Sequence, residues 1–502
     1  DFAHEIAILA LWLTKHQMNV EFYKEFGRTN PTLPLTDSGN IVKGNACRLE
    51  WEEVCPKNEN DEIYILGNPP YLGGKSQSKF QKEDMKISFD SIKKIGELDY
   101  ISCWFYLASK YIENNIAFAF VTTNSICQGS QVQQLWPNIF NKETDIFFAY
   151  KPFKWTNNAR DKAGVVVTIL GLKRKRNIKK KYLFDGQHLK SVLNISPYLI
   201  EASDLIVTQK LHPLSELPKI LTGNSPYDGG NLLLKKEEVS MLLAMNNQNN
   251  KFVKKIHGSH DFLNGHSKWC LWIKDENLEE ALKVEFIRDR INRTKNFREN
   301  GGEVARGLAK KPHKFRYTHQ ANSNTIIIPR VSSERRKYIP FGFLDKDYII
   351  SDSAQAIYDP ELHILGMLLS KMHMVWVRVT AGYLGTSIRY SSALCYNTFP
   401  FPNISKQRKE ELTQCTLKII DERLKHSEKT LAQLYDPDKM PEGLKEAHHQ
   451  NDLAVERCYR STPFNSDEER LEYLFKLYEK MIQEEKDKDT LFAKEKKTRK
   501  RK

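Results

Sequence analysis

No window of eighteen consecutive apolar residues occurs in this 502-residue sequence, which argues against a membrane-spanning helix. Cys-x-x-Cys pairs are missing as well. The eight cysteines, Cys47, Cys55, Cys103, Cys127, Cys270, Cys395, Cys415 and Cys458, are scattered and mostly set among apolar neighbours. A zinc site and a disulfide framework are therefore both disfavoured, and buried reduced thiols in a cytoplasmic protein are expected. The histidines add no ligand spacing: His448 and His449 are adjacent, while His363 and His373 stand far apart, so no metal is expected. Internal repeats are absent. So is any Gly-x-Gly ahead of Asn68, the turn that a nucleotide-type ligand needs after the first strand of a doubly wound sheet. Either the sheet binds nothing of that kind or its first strands lie upstream of Asp1. The opening residues fall directly inside an apolar helical pattern with no signal-peptide features, which reads as a piece of a longer chain. Acidic residues are also outnumbered, 63 Asp plus Glu against 77 Lys plus Arg, for a net charge of +14. A polyanionic partner is the expectation, against the plainer reading of a basic soluble enzyme.

What is present centres on Gly67-Asn68-Pro69-Pro70-Tyr71, directly after the run Ile63-Tyr64-Ile65-Leu66. The run is β-branched and aromatic, has the length of a buried strand and is stopped by glycine and two prolines. A stiff loop at a strand's carboxyl end is thus predicted, where ligands bind in open α/β sheets. Tandem prolines fix two φ angles and remove two N–H donors, so carbonyl oxygens stay free to accept; Asn68 adds an amide oxygen and Tyr71 an aromatic face. Such a loop suits a planar group bearing an amino function. An ordinary proline-rich turn is the alternative.

Helical spacing of Ile6, Leu9, Ala10 and Leu13 predicts an amphipathic helix over residues 2–18 packed on a sheet, and residues 41–46 read as a strand. Further helices are expected over 99–111 and 131–140, and strands over 116–121, 145–150 and 163–172. This alternation is that of a doubly wound, Rossmann-like α/β domain. The basic run 173–181 closes it, as either a solvated hairpin or a phosphate-contacting loop. From about 200 to 400 short strands and turns mix aromatic and basic residues, among them Trp269, Trp272, Arg298, Arg306, Lys310, Lys311 and Arg316. A surface that tracks a nucleic-acid backbone has this composition. The densest cluster holds Arg330, Arg335, Arg336 and Lys337, with phosphate contact and plain solvation evenly matched. Residues 375–381 read as a strand leading into a loop around 382–389, where Arg389 can reach guanine and Thr386 or Ser387 neighbouring base edges. A polar hairpin tip is the competing reading. Long helices follow Pro402, and the charged stretch 486–502 reads as disordered.

Asn68-Pro69-Pro70-Tyr71 resembles the catalytic loop of the gamma-class adenine-N6 DNA methyltransferases. Together with Asp1-Phe-Ala-His-Glu-Ile-Ala, Gly44-Asn-Ala-Cys-Arg-Leu-Glu-Trp, Phe153-Lys-Trp-Thr-Asn-Asn-Ala, Val331-Ser-Ser-Glu-Arg-Arg-Lys-Tyr-Ile-Pro and Tyr396-Asn-Thr-Phe-Pro-Phe-Pro, it is similar to the MmeI-like type IIL restriction-modification enzymes. The resemblance implies a partial S-adenosylmethionine-dependent methyltransferase domain over 1–182, a mixed α+β target-recognition domain over 183–403 and a helical C-terminal domain over 404–485. It gives Asn68 and the Pro69 carbonyl the amino group of a flipped-out adenine, with Pro70 stiffening the loop and Tyr71 stacking on the base. Phe153 becomes the second aromatic wall, with Trp155 close enough to compete. Asn45 stands where an aspartate commonly contacts the cofactor's adenine, and Asp1 adjoins the motif that holds its ribose.

The family's glycine-rich turn and nuclease are not in these residues. The chain alone is therefore expected to be inactive, with double-stranded DNA as the whole protein's partner. Two rivals remain, a methyltransferase acting on RNA or a protein glutamine, and a non-catalytic DNA-specificity module.

Overall fold

The computed structural model describes residues 2–27, 40–58, 61–90, 92–113, 115–155 and 166–499. It divides into two compact units, residues 1–206 and 207–502.

The first unit opens with α1 (Phe2–Phe26), followed by α2 (Trp51–Val54), α3 (Lys79–Phe89), α4 (Ser102–Tyr111) and α5 (Gly129–Phe140). Its six strands are β1 (Ile63–Gly67), β2 (Ile116–Thr123), β3 (Thr144–Lys154), β4 (Val166–Arg174), β5 (Lys181–Asp185) and β6 (His188–Val192), in the sheet order β1-β2-β4-β3-β5-β6. Strands β1 and β2 are parallel, as are β3 and β5, while β4 runs antiparallel between β2 and β3. The core is aromatic where α4 and α5 meet the sheet. The Phe105 ring lies 5.3 Å from Phe120, 5.9 Å from Phe118 and 6.4 Å from Trp136, and all four are buried, so the largest apolar areas leave water together.

Three expectations for this unit are corrected. The run before the loop is not buried within this chain: among the described residues β1 lies at the edge of the sheet, and Tyr64 and Leu66 are 64% and 76% exposed. Residues 41–46 form no strand, because a ladder needs a neighbour and β1 pairs only with β2 among the described residues. On α1, Ile6, Leu9 and Leu13 are exposed, and the more sheltered side carries Ala7, Ile8, Trp12 and His16. Apolar residues surround that helix, so periodicity could not choose its face. The basic run also divides. Lys175, Arg176, Lys179 and Lys180 are exposed on the β4–β5 connection, whereas Lys181 is buried and donates to Asp145 at 2.6 Å.

The second unit holds two four-stranded sheets, a three-stranded sheet and the helices that end the chain. In the three-stranded sheet Ser387–Arg389 lies between Val331–Ser333 and Gly382–Leu384, antiparallel to both. Residues 375–380 are helical rather than extended, part of the helix Lys371–Thr380. Its N-cap Ser370 accepts from the His373 N–H, and Trp376 and Val377 are fully buried. Burial of most of the helix surface overrides the β preference of valine. Trp376 packs at 5.3 Å from Phe475 and 5.5 Å from Tyr478 on the last helix, Asp467–Arg499. That helix continues through the charged residues whose composition reads as disorder, since Glu and Lys are good helix formers in themselves. Gly366 lets its helix approach Lys406–Leu424 and Glu442–Tyr459: a Cβ there would meet Thr416 Oγ1 at 2.3 Å and Asn451 Oδ1 at 3.0 Å.

Candidate functional site

Strand β1 ends at Gly67, opposite Phe120 of β2. The chain then leaves the sheet as the loop 68–71, in which Asn68 and Pro70 are exposed, Pro69 is buried and Tyr71 is half-buried. Among the described residues neither Asn68 nor Tyr71 has a side-chain hydrogen bond, so both polar ends are available. The loop is nevertheless fixed at its exit. Leu72 donates its N–H to Asp99 Oδ1 at 2.7 Å, and its carbonyl accepts from Tyr100 N at 3.0 Å and Gln77 Nε2 at 2.9 Å. Sequence reasoning missed Asp99 and Gln77. The one available signal was an aspartate just ahead of a helix start, a position that favours capping.

Beside the loop lies a cleft of about 620 Å³ lined by Val42, Gly44, Ala46, Leu49, Trp51, Ile63–Gly67, Asn68, Pro69, Trp104, Tyr111 and Phe120. Its walls are apolar and aromatic, with acceptors at the Asn68 and Pro69 end. Asn45, between two lining residues, is already engaged: Oδ1 accepts from Cys47 N at 3.0 Å and Nδ2 donates to Asp84 at 3.0 Å. It shapes the turn 45–48, and its oxygen has one lone pair left for a ligand. Burial works to raise the Asp84 carboxyl, but hydrogen bonds from Tyr100, Arg48 and Asn45 outweigh it and hold the group below its ordinary value. Phe153 stands near the carboxyl end of β3, paired with Val167, which also faces Thr123 at the end of β2. The sheet thus carries Phe153 and the loop 68–71 at the same end. Trp155 is 6.3 Å from Phe153, so geometry does not separate the two as an aromatic wall. Asp1 lies outside the described residues.

In the second unit the two basic stretches singled out in the sequence sit on neighbouring strands. Val331 pairs with Arg389 and Ser333 with Ser387; Thr386 is exposed at the hairpin tip next to Gly385, whose φ is +59°. The cations differ in freedom. Arg330 is half-buried and donates to the Asp352 carbonyl at 3.1 Å, Arg336 to Ser332 Oγ at 3.3 Å, and Arg335 pairs with Asp438 at 2.5 Å. Lys337 and Arg389 are exposed with no ion-pair partner among the described residues. Arg298 is no surface cation. Fully buried, it donates to the carbonyls of Tyr227, Leu308, Lys311, Pro226 and Lys314 at 2.6–3.0 Å. Among the described residues, metal-ligating residue types gather once, at His260, Asp261 and His266. Lys268 already neutralises that carboxylate, at 2.9 Å from Asp261 Oδ1.

Comparison with known proteins accounts for both regions. Family models match in three consecutive blocks: the MmeI DNA-methyltransferase domain over residues 1–185, the MmeI target recognition domain over 201–403 and the MmeI C-terminal domain over 404–484. The chain belongs to the MmeI family. DNA methyltransferase A of Bacillus subtilis (strain 168) is 46% identical to this MmeI-family chain over 486 residues, 96% of the chain and 55% of that protein. The solved structure of the type IIL restriction-modification enzyme MmeI in complex with DNA matches with a TM-score of 0.77 and 34% identity, covering 94% of this chain and 64% of that one. The chain therefore spans about half the length of the curated relative it matches. The loop 68–71 falls in the methyltransferase block, and Lys337 and Arg389 in the target-recognition block of this MmeI-family chain.

Proposed function

We propose that this chain is the methyl-acceptor and DNA-reading portion of an adenine-N6 DNA methyltransferase that uses S-adenosylmethionine. The whole protein would be a bifunctional type II restriction-modification enzyme, its cofactor turn and nuclease lying in sequence upstream of these residues. The observation that carries this reading is the unpartnered Asn68 amide beside the Pro69 carbonyl, on an anchored loop that follows the end of β1.

Two acceptors at that spot bind an exocyclic amino group through its two N–H bonds. Held so, the nitrogen keeps its lone pair directed away from the ring plane, available to a methyl electrophile. Tyr71 supplies a stacking face for a base taken out of the duplex, which is required because the amino nitrogen is inaccessible inside the helix. The cofactor supplies an electrophilic sulfonium methyl when bound. The apolar and aromatic walls of the cleft suit the adenine ring of that cofactor; its lining contains no charged side chain, so the ribose and the methionyl end need groups beyond it. Lys337 provides charge for backbone affinity, and Arg389 with Thr386 and Ser387 provides edge recognition.

The test is Asn68→Ala in the full-length protein, followed by labelled methyl transfer to duplex DNA and identification of the product base. Transfer should vanish while duplex binding persists. Undiminished transfer, or a methylated product other than N6-methyladenine, would overturn the reading. RNA and protein substrates run in parallel separate the rival acceptors.

A further inference from the structure

The geometry points to Asp99 as the positioning residue of the loop 68–71, a carboxylate that locks the loop's exit to the end of the neighbouring strand. The inference rests on the methyl-acceptor reading above for what the loop does, but not for the clamp itself. Asp99 is 5% exposed and precedes α4. Its Oδ1 accepts the Leu72 N–H at 2.7 Å and the Ile101 N–H at 3.4 Å. Its Oδ2 lies within hydrogen-bond reach of Ser125 Oγ at 3.2 Å and Thr123 Oγ1 at 3.4 Å, and its own N–H donates to Gln131 Oε1 at 2.9 Å. The side chain thereby joins the loop after β1 to the end of β2, and the Asp99 backbone adds a link to the first turn of α5.

Pro69 and Pro70 carry no N–H, so the loop has few donors by which it can be tied down. Tyr71 and Leu72 offer the first two after the prolines, and the carboxylate takes the one at Leu72. With the Leu72 carbonyl also held by Tyr100 and Gln77, both peptide groups flanking that residue are fixed, and with them the direction in which Tyr71 leaves the backbone. A carboxylate suits the position because every group turned toward it is a donor; its charge strengthens each hydrogen bond. The hydroxyl-rich end of β2, Thr122-Thr123-Asn124-Ser125, acquires a purpose in this arrangement. The Thr123 and Ser125 hydroxyls are 2.6 Å apart, so one donates to the other, which in turn donates its own O–H to the second carboxylate oxygen.

The consequence is a kinetic signature. A loop released at its exit still presents Asn68 and Tyr71, but no longer in one geometry, and misplacement on the order of 1 Å costs about 100-fold in rate. Asp99→Ala in the full-length protein should lower kcat by that factor. Duplex affinity should stay near wild type, the unfolding temperature should fall because buried donors lose their acceptor, and Asp99→Asn, which keeps an acceptor for Leu72, should recover most of the rate. An Asp99→Ala enzyme with wild-type kcat overturns the inference, and so does Asp99→Asn no better than alanine. Should Asp99→Ala not fold, the double variant Thr123→Val, Ser125→Ala frees Oδ2 while leaving Leu72 held; unchanged kcat there is equally fatal. Amide exchange at Leu72, read in the same variants, does not depend on activity. If the wild-type protein proves not to methylate adenine, faster exchange at Leu72 in Asp99→Ala still supports the clamp, and unchanged exchange refutes it.

Discussion

Val331 lies directly across from Arg389 in an antiparallel ladder, so two stretches far apart in the chain lie on neighbouring strands of one sheet. The pairing sorts cations that look alike in sequence. Arg330, Arg335 and Arg336 spend their guanidinium donors on Asp352, Asp438 and Ser332, while Lys337 and Arg389 remain exposed and uncommitted among the described residues.

This difference predicts two phenotypes. Arg389→Ala in the full-length protein should relax or change the methylated sequence at one position, at a cost of about 1–3 kcal/mol against the original base, as expected for a bidentate base contact. Lys337→Ala should weaken binding to all duplexes alike and reduce the slope of log affinity against log salt by about 1. Sequencing of methylated sites and binding titrations at several salt concentrations separate the two; an unchanged site in Arg389→Ala would remove that residue from recognition.

Tyr71 carries a second prediction. If its ring stacks on an extruded base, Tyr71→Phe should retain most of the methyl-transfer rate and Tyr71→Ala should lose about 1–3 kcal/mol of base binding. Fluorescence of 2-aminopurine at the target position, recorded with kcat, checks this. Equal activity of the alanine variant would count against stacking.

How much could be read from the sequence differs by element. The loop 68–71 was legible because its determinants are local: a β-branched run, then glycine and two prolines. The helix α4 and the strands β2 and β3 were legible for the same reason. What depends on distant partners was not. Residues 41–46 look like a strand but have no pairing partner among the described residues, and residues 375–380 are rich in β-branched residues but belong to a helix in which only Arg378 is exposed. Asp99 reads as a helix-start aspartate, and only folding brings Leu72, Thr123 and Ser125 to it. Arg298 looks like its basic neighbours until five carbonyls close around it.

Those five carbonyls make Arg298 a stability prediction. Arg298→Ala leaves the acceptors of Tyr227, Leu308, Lys311, Pro226 and Lys314 without their donor and opens a cavity, a combination worth on the order of 4 kcal/mol or more. Arg298→Lys restores charge but only three donors and no planar fork, so it should fall between. Urea unfolding of the three proteins gives the order; near-equal midpoints for alanine and wild type would refute the role.

The last prediction concerns acid. Burial pushes both His373 and His448 down to about 3; His373 Nε2 meets the Tyr390 hydroxyl at 3.0 Å, and His448 lies between the Tyr435 hydroxyl at 2.7 Å and the Leu369 carbonyl at 3.2 Å. Asp452 moves the other way, burial pushing it up to about 7 against hydrogen bonds from Tyr338 at 2.7 Å and Lys371 N at 2.6 Å. Each depressed histidine stabilises the fold above its ordinary value of about 6.5, and loses that contribution as pH falls from there toward 3. The raised aspartate stabilises the fold below about 4 and loses its contribution as pH rises toward 7. Between pH 6.5 and 4 the unfolded chain therefore takes up two protons at the histidines, while the folded chain holds one extra at Asp452. These three groups together give a net loss of about 1.4 kcal/mol per pH unit on acidification. Asp452→Asn removes the opposing group and should steepen the loss to about 2.7 kcal/mol per unit, while His448→Gln should flatten it toward zero. Urea unfolding at pH 6.5 and 5 in wild type and both variants reads the slopes directly, and the other titrating groups cancel in the differences. Parallel slopes in all three proteins would show that these buried groups do not govern acid stability.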